Sequence, residues 1–280
     1  MRRIIPYLLL LMLALCSCTS LRYAGVDRVR DYTLSSPHVP AAFDGYRIAF
    51  ASDFHLESKF KERQLQGTVK ALQAAAPDVL LLGGDYQEGC EYVVPLLTAL
   101  GHVETSDGTF AVLGNNDYER CTELIRHTMQ EQGMTLLEDS TATLHRRGDS
   151  IILWGANAYA GRYPTAPQRG RRETGRDTAS FTILLTHTPD YVEEPEVGRV
   201  DLALAGHTHG GQVTLFGLYA PITASRYGMR FRTGLRHSSR GVPVIISGGL
   251  GTSRRNIRFC APTDIIVVIL CREDGGLKDG

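Results

Sequence analysis

Gly206-His207-Thr208-His209-Gly210-Gly211-Gln212 decides how this chain is read. Two histidines stand one residue apart, directly after the apolar run Leu202-Ala203-Leu204-Ala205. In an extended or turning backbone, residues i and i+2 point to the same side, so both imidazoles can face one point past the end of a strand. The flanking glycines let the backbone turn tightly and keep bulk away from that point. Imidazole is the commonest side-chain ligand for transition metals. A polar turn that happens to carry two histidines is the alternative, and the other strand ends decide between them.

Upstream, Arg47 to Ala51 reads as a strand running into Ser52-Asp53-Phe54-His55. Lys61 to Ala76 has helical spacing, with Leu65, Val69 and Leu72 on one face, and Pro77 ends it. Val79 to Leu82 is an apolar strand followed by Gly83-Gly84-Asp85, and Glu91 to Leu100 reads as a helix. Thr109 to Leu113 is a strand followed by Gly114-Asn115-Asn116-Asp117, and Tyr118 to Gln132 is the next helix. Strand, polar loop and helix in repetition imply parallel strands with crossover helices, whose chemistry lies past the carboxyl ends of the strands. The second half is richer in strands: Thr141 to His145, Ile151 to Trp154, Phe181 to Thr186 ending at His187, Asp201 to Ala205, Val213 to Tyr219, Val242 to Ser247 and Asp264 to Leu270. The expected boundaries are a targeting segment over 1–18, an irregular lead-in over 19–45, one domain over 46–272 and a flexible tail over 273–280.

Lys+Arg and Asp+Glu both count 30 in 280 residues, so global charge points to no nucleic-acid partner. Arginines gather instead in two stretches, Arg162 to Arg176 and Arg226 to Arg240. They read as solvated loops or as groups that grip phosphate, with Arg162, Arg172 and Arg230 the candidate substrate-binding residues. The segment Tyr159 to Ala179 is too long for an ordinary structureless loop and reads as a cap over a site. At the N-terminus, Arg2 and Arg3 precede the apolar run Ile4 to Leu15, the shape of an export signal. Leu15-Cys16-Ser17-Cys18 resembles a bacterial lipoprotein processing site with Cys18 acylated; an uncleaved membrane anchor is the alternative. Either way the expected location is the bacterial cell envelope, membrane-anchored. An exported chain can pair Cys90 with Cys121 if their loops are neighbours; buried thiols are the other reading.

Collected in order, the strand ends carry Asp53, His55, Asp85, Asn115, His187, His207 and His209. Each alone has a bland explanation as a turn, cap or core residue. Together they form an oxygen and nitrogen ligand set without cysteine, which suits hard-to-borderline divalent ions. Seven ligands exceed one tetrahedral zinc and suit two ions sharing a carboxylate.

The order Asp-x-His, Gly-Asp, Gly-Asn-x-Asp, His, Gly-His-x-His resembles the calcineurin-like metallophosphoesterase superfamily, from about Arg47 to Leu270. The fuller form Gly-His-Thr-His-Gly-Gly-Gln is similar to its membrane-linked bacterial branch, which includes UDP-2,3-diacylglucosamine pyrophosphatases of lipid A synthesis. The resemblance implies an α/β (α+β) fold: a four-layer α/β/β/α sandwich of two mixed sheets flanked by helices. It implies two divalent metal ions (Mn, Fe, Zn, Co or Ni), one held by Asp53, His55 and His209, the other by Asn115, His187 and His207, with Asp85 bridging. The implied reaction is hydrolysis of a phosphodiester or diphosphate by a hydroxide held between the ions. The implied partner is a phosphate-ester or diphosphate substrate, nucleotide- or lipid-linked, and the chain is expected to be a monomer.

One position departs from the pattern. The family usually has His after the Asn of the third block, where this chain has Asn116. A neutral amide donates a hydrogen bond but delivers no proton near pH 7. Asn116 and Asp117 are the candidate catalytic residues, and Asp117 is also well placed to cap the following helix. Asn116 favours a leaving group that needs little protonation, such as a phosphate leaving a diphosphate. Otherwise His102, His127, Arg254 or a water does the work. A membrane-tethered binding lipoprotein that keeps the fold but not the activity is the alternative function.

Overall fold

The computed structural model describes residues 25–57, 59–157, 180–198 and 200–273. In chain order the strands are β1 (Arg28–Ser36), β2 (Arg47–Ala51), β3 (Val79–Leu82), β4 (Thr109–Ala111), β5 (Thr135–Leu136) and β6 (Ser140–Arg146). Then follow β7 (Asp149–Ala156), β8 (Phe181–Thr186), β9 (Leu202–Ala205), β10 (Gly234–His237), β11 (Pro243–Ile246) and β12 (Asp264–Arg272). The helices are α1 (Lys59–Ala74), α2 (Val93–Gly101), α3 (Asn115–Glu119) and α4 (Thr122–Glu131). They build two mixed six-stranded sheets, ordered β1-β12-β2-β3-β4-β5 and β10-β11-β9-β8-β7-β6.

Each sheet has a parallel centre: β2 through β5 in the first, and β7, β8, β9 and β11 in the second. Their side chains sort by the two-residue period of a strand. Ile48 and Phe50 of β2, Val79 and Leu81 of β3, and Leu202 and Leu204 of β9 meet between the sheets. The alternate residues Ala49, Ala51, Leu80 and Leu82 face a second core built with Leu72, Leu96, Leu97, Ile125 and Met129. That core is the helical layer over the first sheet. The outer face of the second sheet, with Trp154, Leu184, Ala203 and Ala205, packs on Tyr191 and Val192. Among the described residues this fourth layer is made of short 3-10 turns, Pro189–Glu193 and Pro195–Val197, rather than long helices. No helix among the described residues is long and apolar enough to cross a membrane.

Three expectations change. The lead-in is not irregular: β1 is a nine-residue strand paired in parallel with β12 along its whole length, so the domain begins well before residue 46. Its polar outward alternation at a sheet edge hides it from a hydrophobicity reading. Val213 to Tyr219 is not a strand but a loop with two isolated bridges, Val213 to Phe259 and Leu215 to Tyr219. The helix expected over 118–132 is two, because Cys121 adopts a left-handed backbone (φ 65°) between α3 and α4. The signal segment with Cys18, the stretch with Arg162 and Arg172, and the tail from 274 lie outside the described residues.

Candidate metal centre

The carboxyl ends of β2, β3 and β4 from one sheet meet those of β8, β9 and β11 from the other. The backbone ties these ends together: Asp53 N donates to Gly84 O at 2.9 Å, and Gly206 N donates to His187 O at 3.0 Å. The seam between the sheets is closed by His207 N, which donates to Asp53 Oδ1 and Oδ2 at 3.0 and 2.9 Å.

All seven expected ligands converge there. Asp53, His55 and His209 form one group and Asp85, His187 and His207 another, with ligand atoms within 4.8 Å of one another in each. Asp85 Oδ2 lies 3.4 Å from His55 Nε2 and 3.4 Å from His187 Nε2, midway between the groups. Its other oxygen accepts from Asn116 N at 2.9 Å, which aims Oδ2 into the gap. Asn115 Oδ1 stands 3.2 Å from His187 Nε2, and His207 Nδ1 is 3.0 Å from the same nitrogen. His209 Nε2 faces Asp53 Oδ1 at 3.5 Å.

The backbone is bent to achieve this. Asp53, His55, Asp85, His207 and His209 all have positive φ, between 43° and 71°. Non-glycine residues seldom take that region, at a cost of about 1–3 kcal/mol each, and such strain gathers at functional sites. Glycines supply the room. A Cβ on Gly206 would lie 2.0 Å from Ser52 Oγ and 2.3 Å from Asp53 Oδ2; one on Gly114 would lie 2.1 Å from Asp85 Oδ1.

Further hydrogen bonds orient the rings. His187 Nδ1 donates to Gly83 O at 2.8 Å, which turns Nε2 toward Asp85. His55 Nδ1 meets Glu88 Oε1 at 2.5 Å and does the same for its own Nε2. The donor set fits two divalent ions: carboxylate, amide oxygen and imidazole nitrogen, with one shared carboxylate. Electrostatics agrees. Burial works against charge on His55, but the Asp85 and Glu88 carboxylates outweigh it and push its pKa up to about 10. Burial likewise opposes charge on His187, yet Asp85 drives it up to about 9. Burial and then the charged His187 lower His207 to about 4. Burial and the nearby His55 and Arg258 hold His209 well below the usual histidine range. Although burial alone would raise it, Asp85 is kept well below the carboxylate range by His187 and His55. The cluster thus gathers two protons around its carboxylates where cations belong.

Asn116 reaches this centre in an unexpected role. Its Oδ1 accepts from Asn115 Nδ2 at 2.9 Å, turning Asn115 Oδ1 toward His187. Its own Nδ2 donates to Glu88 Oε1 at 3.1 Å. Asp117 turns its fully buried carboxylate onto the backbone, accepting from the N–H groups of Asp85, Tyr86 and Gly114 at 2.7, 3.0 and 2.8 Å. It is a positioning residue that joins the loops after β3 and β4. Arg230 also leaves the site, paired with Glu193 at 2.9 Å and lying 4.9 Å over the ring of Phe231. His127 pairs with Glu131 on the surface of α4.

A cavity of about 930 Å3 opens over the ligands, and Arg120, Arg254 and Arg255 line it instead. Sequence reasoning named none of these as substrate residues, and it missed Glu88 and Arg258. Glu88 follows Asp85 by three residues in one loop, which is the only signal it carried. Arg258 bridges loops by donating to Gly251 O at 2.9 Å, Gly248 O at 2.8 Å and Ala261 O at 3.1 Å. Cys90 and Cys121 form a disulfide between the loop that carries Asp85 and Glu88 and the end of α3, whose first residues are Asn115 and Asn116.

A family model for calcineurin-like phosphoesterase matches residues 46–211, the span that holds every one of these ligands. The chain is 29% identical over 256 residues to a metallophosphoesterase of Bacillus subtilis, YkuE, covering 86% of this chain and 84% of that one. It is 26% identical over 250 residues to a metallophosphoesterase of Aquifex aeolicus, covering 87% and 91%. A third, from Helicobacter pylori strain J99, is 30% identical over 223 residues, 78% of this chain and 58% of the relative. The seven-ligand centre and these matches agree, and the chain belongs to the calcineurin-like phosphoesterase family.

Proposed function

We propose that the protein hydrolyses a phosphodiester or diphosphate bond at the centre shared by Asp85, in preference to a monoester. The observation that supports this is Asp85 Oδ2 equidistant from His55 and His187, each in its own ligand group. Asp53, His55 and His209 would hold one ion, Asn115, His187 and His207 the other, with Asp85 between. When bound, such a pair of ions neutralises charge on a phosphoryl group and lowers the pKa of water. The chain's own part is to fix geometry. Glu88 and Gly83 O lock two imidazoles, and Asn116 locks the Asn115 amide. Arg120, Arg254 and Arg255 neutralise the non-reacting oxygens. No imidazole stands at position 116 to protonate a leaving alkoxide. That favours substrates with acidic leaving groups, a nucleotide- or lipid-linked diphosphate such as UDP-2,3-diacylglucosamine among them.

We place the domain in the bacterial cell envelope, tethered by its N-terminal segment. The Cys90–Cys121 disulfide supports an oxidising compartment. The test combines metal analysis with rates on bis-(p-nitrophenyl) phosphate, p-nitrophenyl phosphate and UDP-diacylglucosamine in manganese. Two ions per chain and diester or diphosphate rates above the monoester rate are expected. A chain that binds no metal and turns over none of the three would sink the proposal and leave a binding protein with an enzyme's fold.

A further inference from the structure

Two loops at the carboxyl ends of the strands leave apolar side chains in solvent. One runs from Gln212 to Tyr227 after the histidine pair, the other from Gly248 to Thr263 after β11. Ile222 is 80% exposed and Leu218 79%, and Leu215, Tyr219, Ile257 and Phe259 are exposed with them. Single exposed aliphatics are ordinary, but a contiguous group marks a surface that meets something apolar. The loops are pinned to one another. Thr214 N donates to Phe259 O and Phe259 N to Gln212 O, both at 2.9 Å, and Gln212 Oε1 accepts from Ser253 N at 2.9 Å. They therefore present one surface.

Its charge is one-sided. Neither loop contains an Asp or Glu, and together they carry Arg226, Arg254, Arg255 and Arg258. Arg226 pairs with Glu194 and Arg258 is spent on backbone carbonyls, while Arg254 and Arg255 stand exposed two and three residues before Ile257. Aliphatic and aromatic side chains flanked by exposed arginines fit the interface of an anionic bilayer.

The course of the chain supplies an independent observation. β1 runs parallel to β12, and β12 antiparallel to β2, so the start of β1 lies at the carboxyl end of β2, where Asp53 follows. Gly25 O, just before β1, accepts from Gln64 Nε2 at 2.9 Å and from Thr263 Oγ1 at 3.1 Å. Thr263 closes the second loop, and Phe259 precedes it by four residues, a reach of at most about 14 Å even for extended chain. The N-terminal segment thus joins the domain at the same end as the apolar surface. Cys18 precedes Gly25 by seven residues, at most about 25 Å of chain.

Resting on the envelope tether in the functional reading, we propose that these two loops dock on the anionic membrane that holds the chain. The metal-bearing end of the domain then faces the bilayer. Leu218 and Ile222 enter the boundary between headgroups and acyl chains, and Arg254 and Arg255 meet lipid phosphates. This orientation is independent of which phosphate ester the site cleaves.

The experiment uses the full chain, expressed with its N-terminal segment and reconstituted in vesicles of phosphatidylglycerol and acyl-brominated phosphatidylcholine. Bromine quenches tryptophan only at contact range. The chain's one tryptophan, Trp154, is buried, so its constant background subtracts. Leu218→Trp reports on the loop. Glu104→Trp reports on the opposite end, since Glu104 is exposed in the turn that leads into β4. Both replace exposed side chains, and circular dichroism checks the fold. For an apolar surface sunk to the acyl boundary, the Leu218→Trp signal should fall by roughly half or more, and the Glu104→Trp signal by no more than about a tenth. Adding Ile222→Asn and Ile257→Asn to Leu218→Trp should remove most of that quenching. Equal quenching of the two reporters, or of neither, in a chain that floats with the vesicles would overturn the docking and leave the tether standing. So would a Leu218→Trp signal shielded from iodide but not quenched by bromine, which would assign the surface to a protein partner. A chain that does not float with the vesicles would remove the tether, and the docking with it.

Discussion

The floor of the cavity and its rim are built from opposite materials. On the floor, Asp53, His55 and His187 are fully buried, and the first two sit at strained backbone positions. On the rim, Ile222 is 80% exposed and Arg254 and Arg255 reach into solvent. Phosphoryl chemistry needs desolvated, preorganised charge, since every misplaced ligand is paid for in the transition state. Selection of the substrate needs only a surface of the right polarity beside it. The floor therefore tolerates almost no change, while the rim can vary without loss of the reaction.

The sharpest way to break that contrast is Asp85→Asn. One substitution removes the charge of the shared carboxylate, so kcat/KM on a phosphodiester should fall by roughly a thousand-fold or more, as for other single electrostatic groups at reacting centres. Metal analysis should show both ions weakened. Loss of one ion alone would mean that Asp85 serves a single group.

Next in size is the disulfide. Joining Cys90 to Cys121 closes a loop with a sequence separation of 31, and the chain-entropy account assigns such a loop about 3–4 kcal/mol. Cys90→Ser should lower unfolding stability by an amount of that order in urea titrations. Because the bridge links the Asp85 loop to the segment that starts with Asn115, metal affinity should weaken as well. Unchanged metal affinity would confine the bridge to stability.

The pH response tests the floor alone. His55 and His187 are raised to about 10 and 9, so near pH 7 each ligand group carries a proton that an ion must displace. Metal affinity per ion should rise by about ten-fold per pH unit from pH 7 until pH 9 to 10, then flatten. Stability of the metal-free fold runs the other way. Both folded values lie above the ordinary histidine value of about 6.5, so their stabilisation is complete below it. It declines above that value and is gone once pH passes 9 to 10. Melting temperatures measured with and without manganese should diverge over that window.

The smallest effects belong to the arginines. Arg254→Ala should raise KM for a charged diester several-fold with kcat nearly unchanged, because it lines the cavity. Arg230→Ala should leave KM alone, since its guanidinium is spent on Glu193 and the Phe231 ring. Equal effects would show that the rim extends further than the cavity wall.

The ligand set was legible before any fold, and the reason is local. Each ligand follows an apolar run that can only be a buried strand, and Gly84, Gly114 and Gly206 mark the turns beside three of them. The two-sheet architecture was legible through the family resemblance, while the apolar runs of β2, β3 and β9 announced only buried strands. The edge strand β1 was not, because its alternation is polar and its partner β12 is more than 200 residues away. Nor were Glu88, Arg258 and the cavity residues Arg120 and Arg255, since nothing near them in the chain announces a histidine ring or a distant carbonyl; Arg254 was singled out, as an alternative proton donor.

By itself, then, the sequence determined which chemistry the chain can carry: seven oxygen and nitrogen donors at strand ends, in an order that resembles the calcineurin-like phosphoesterases. The tertiary structure alone decided how they are used. It turned Asp85 Oδ2 to the midpoint, made Asp117 a clasp for two loops, and gave Asn116 the task of orienting Asn115. It also put Val213, Ile222 and Ile257 in one cavity with Asp85, His207 and His209. Donor type is a property of each residue, whereas aim, charge and neighbourhood exist only once two sheets close on one another.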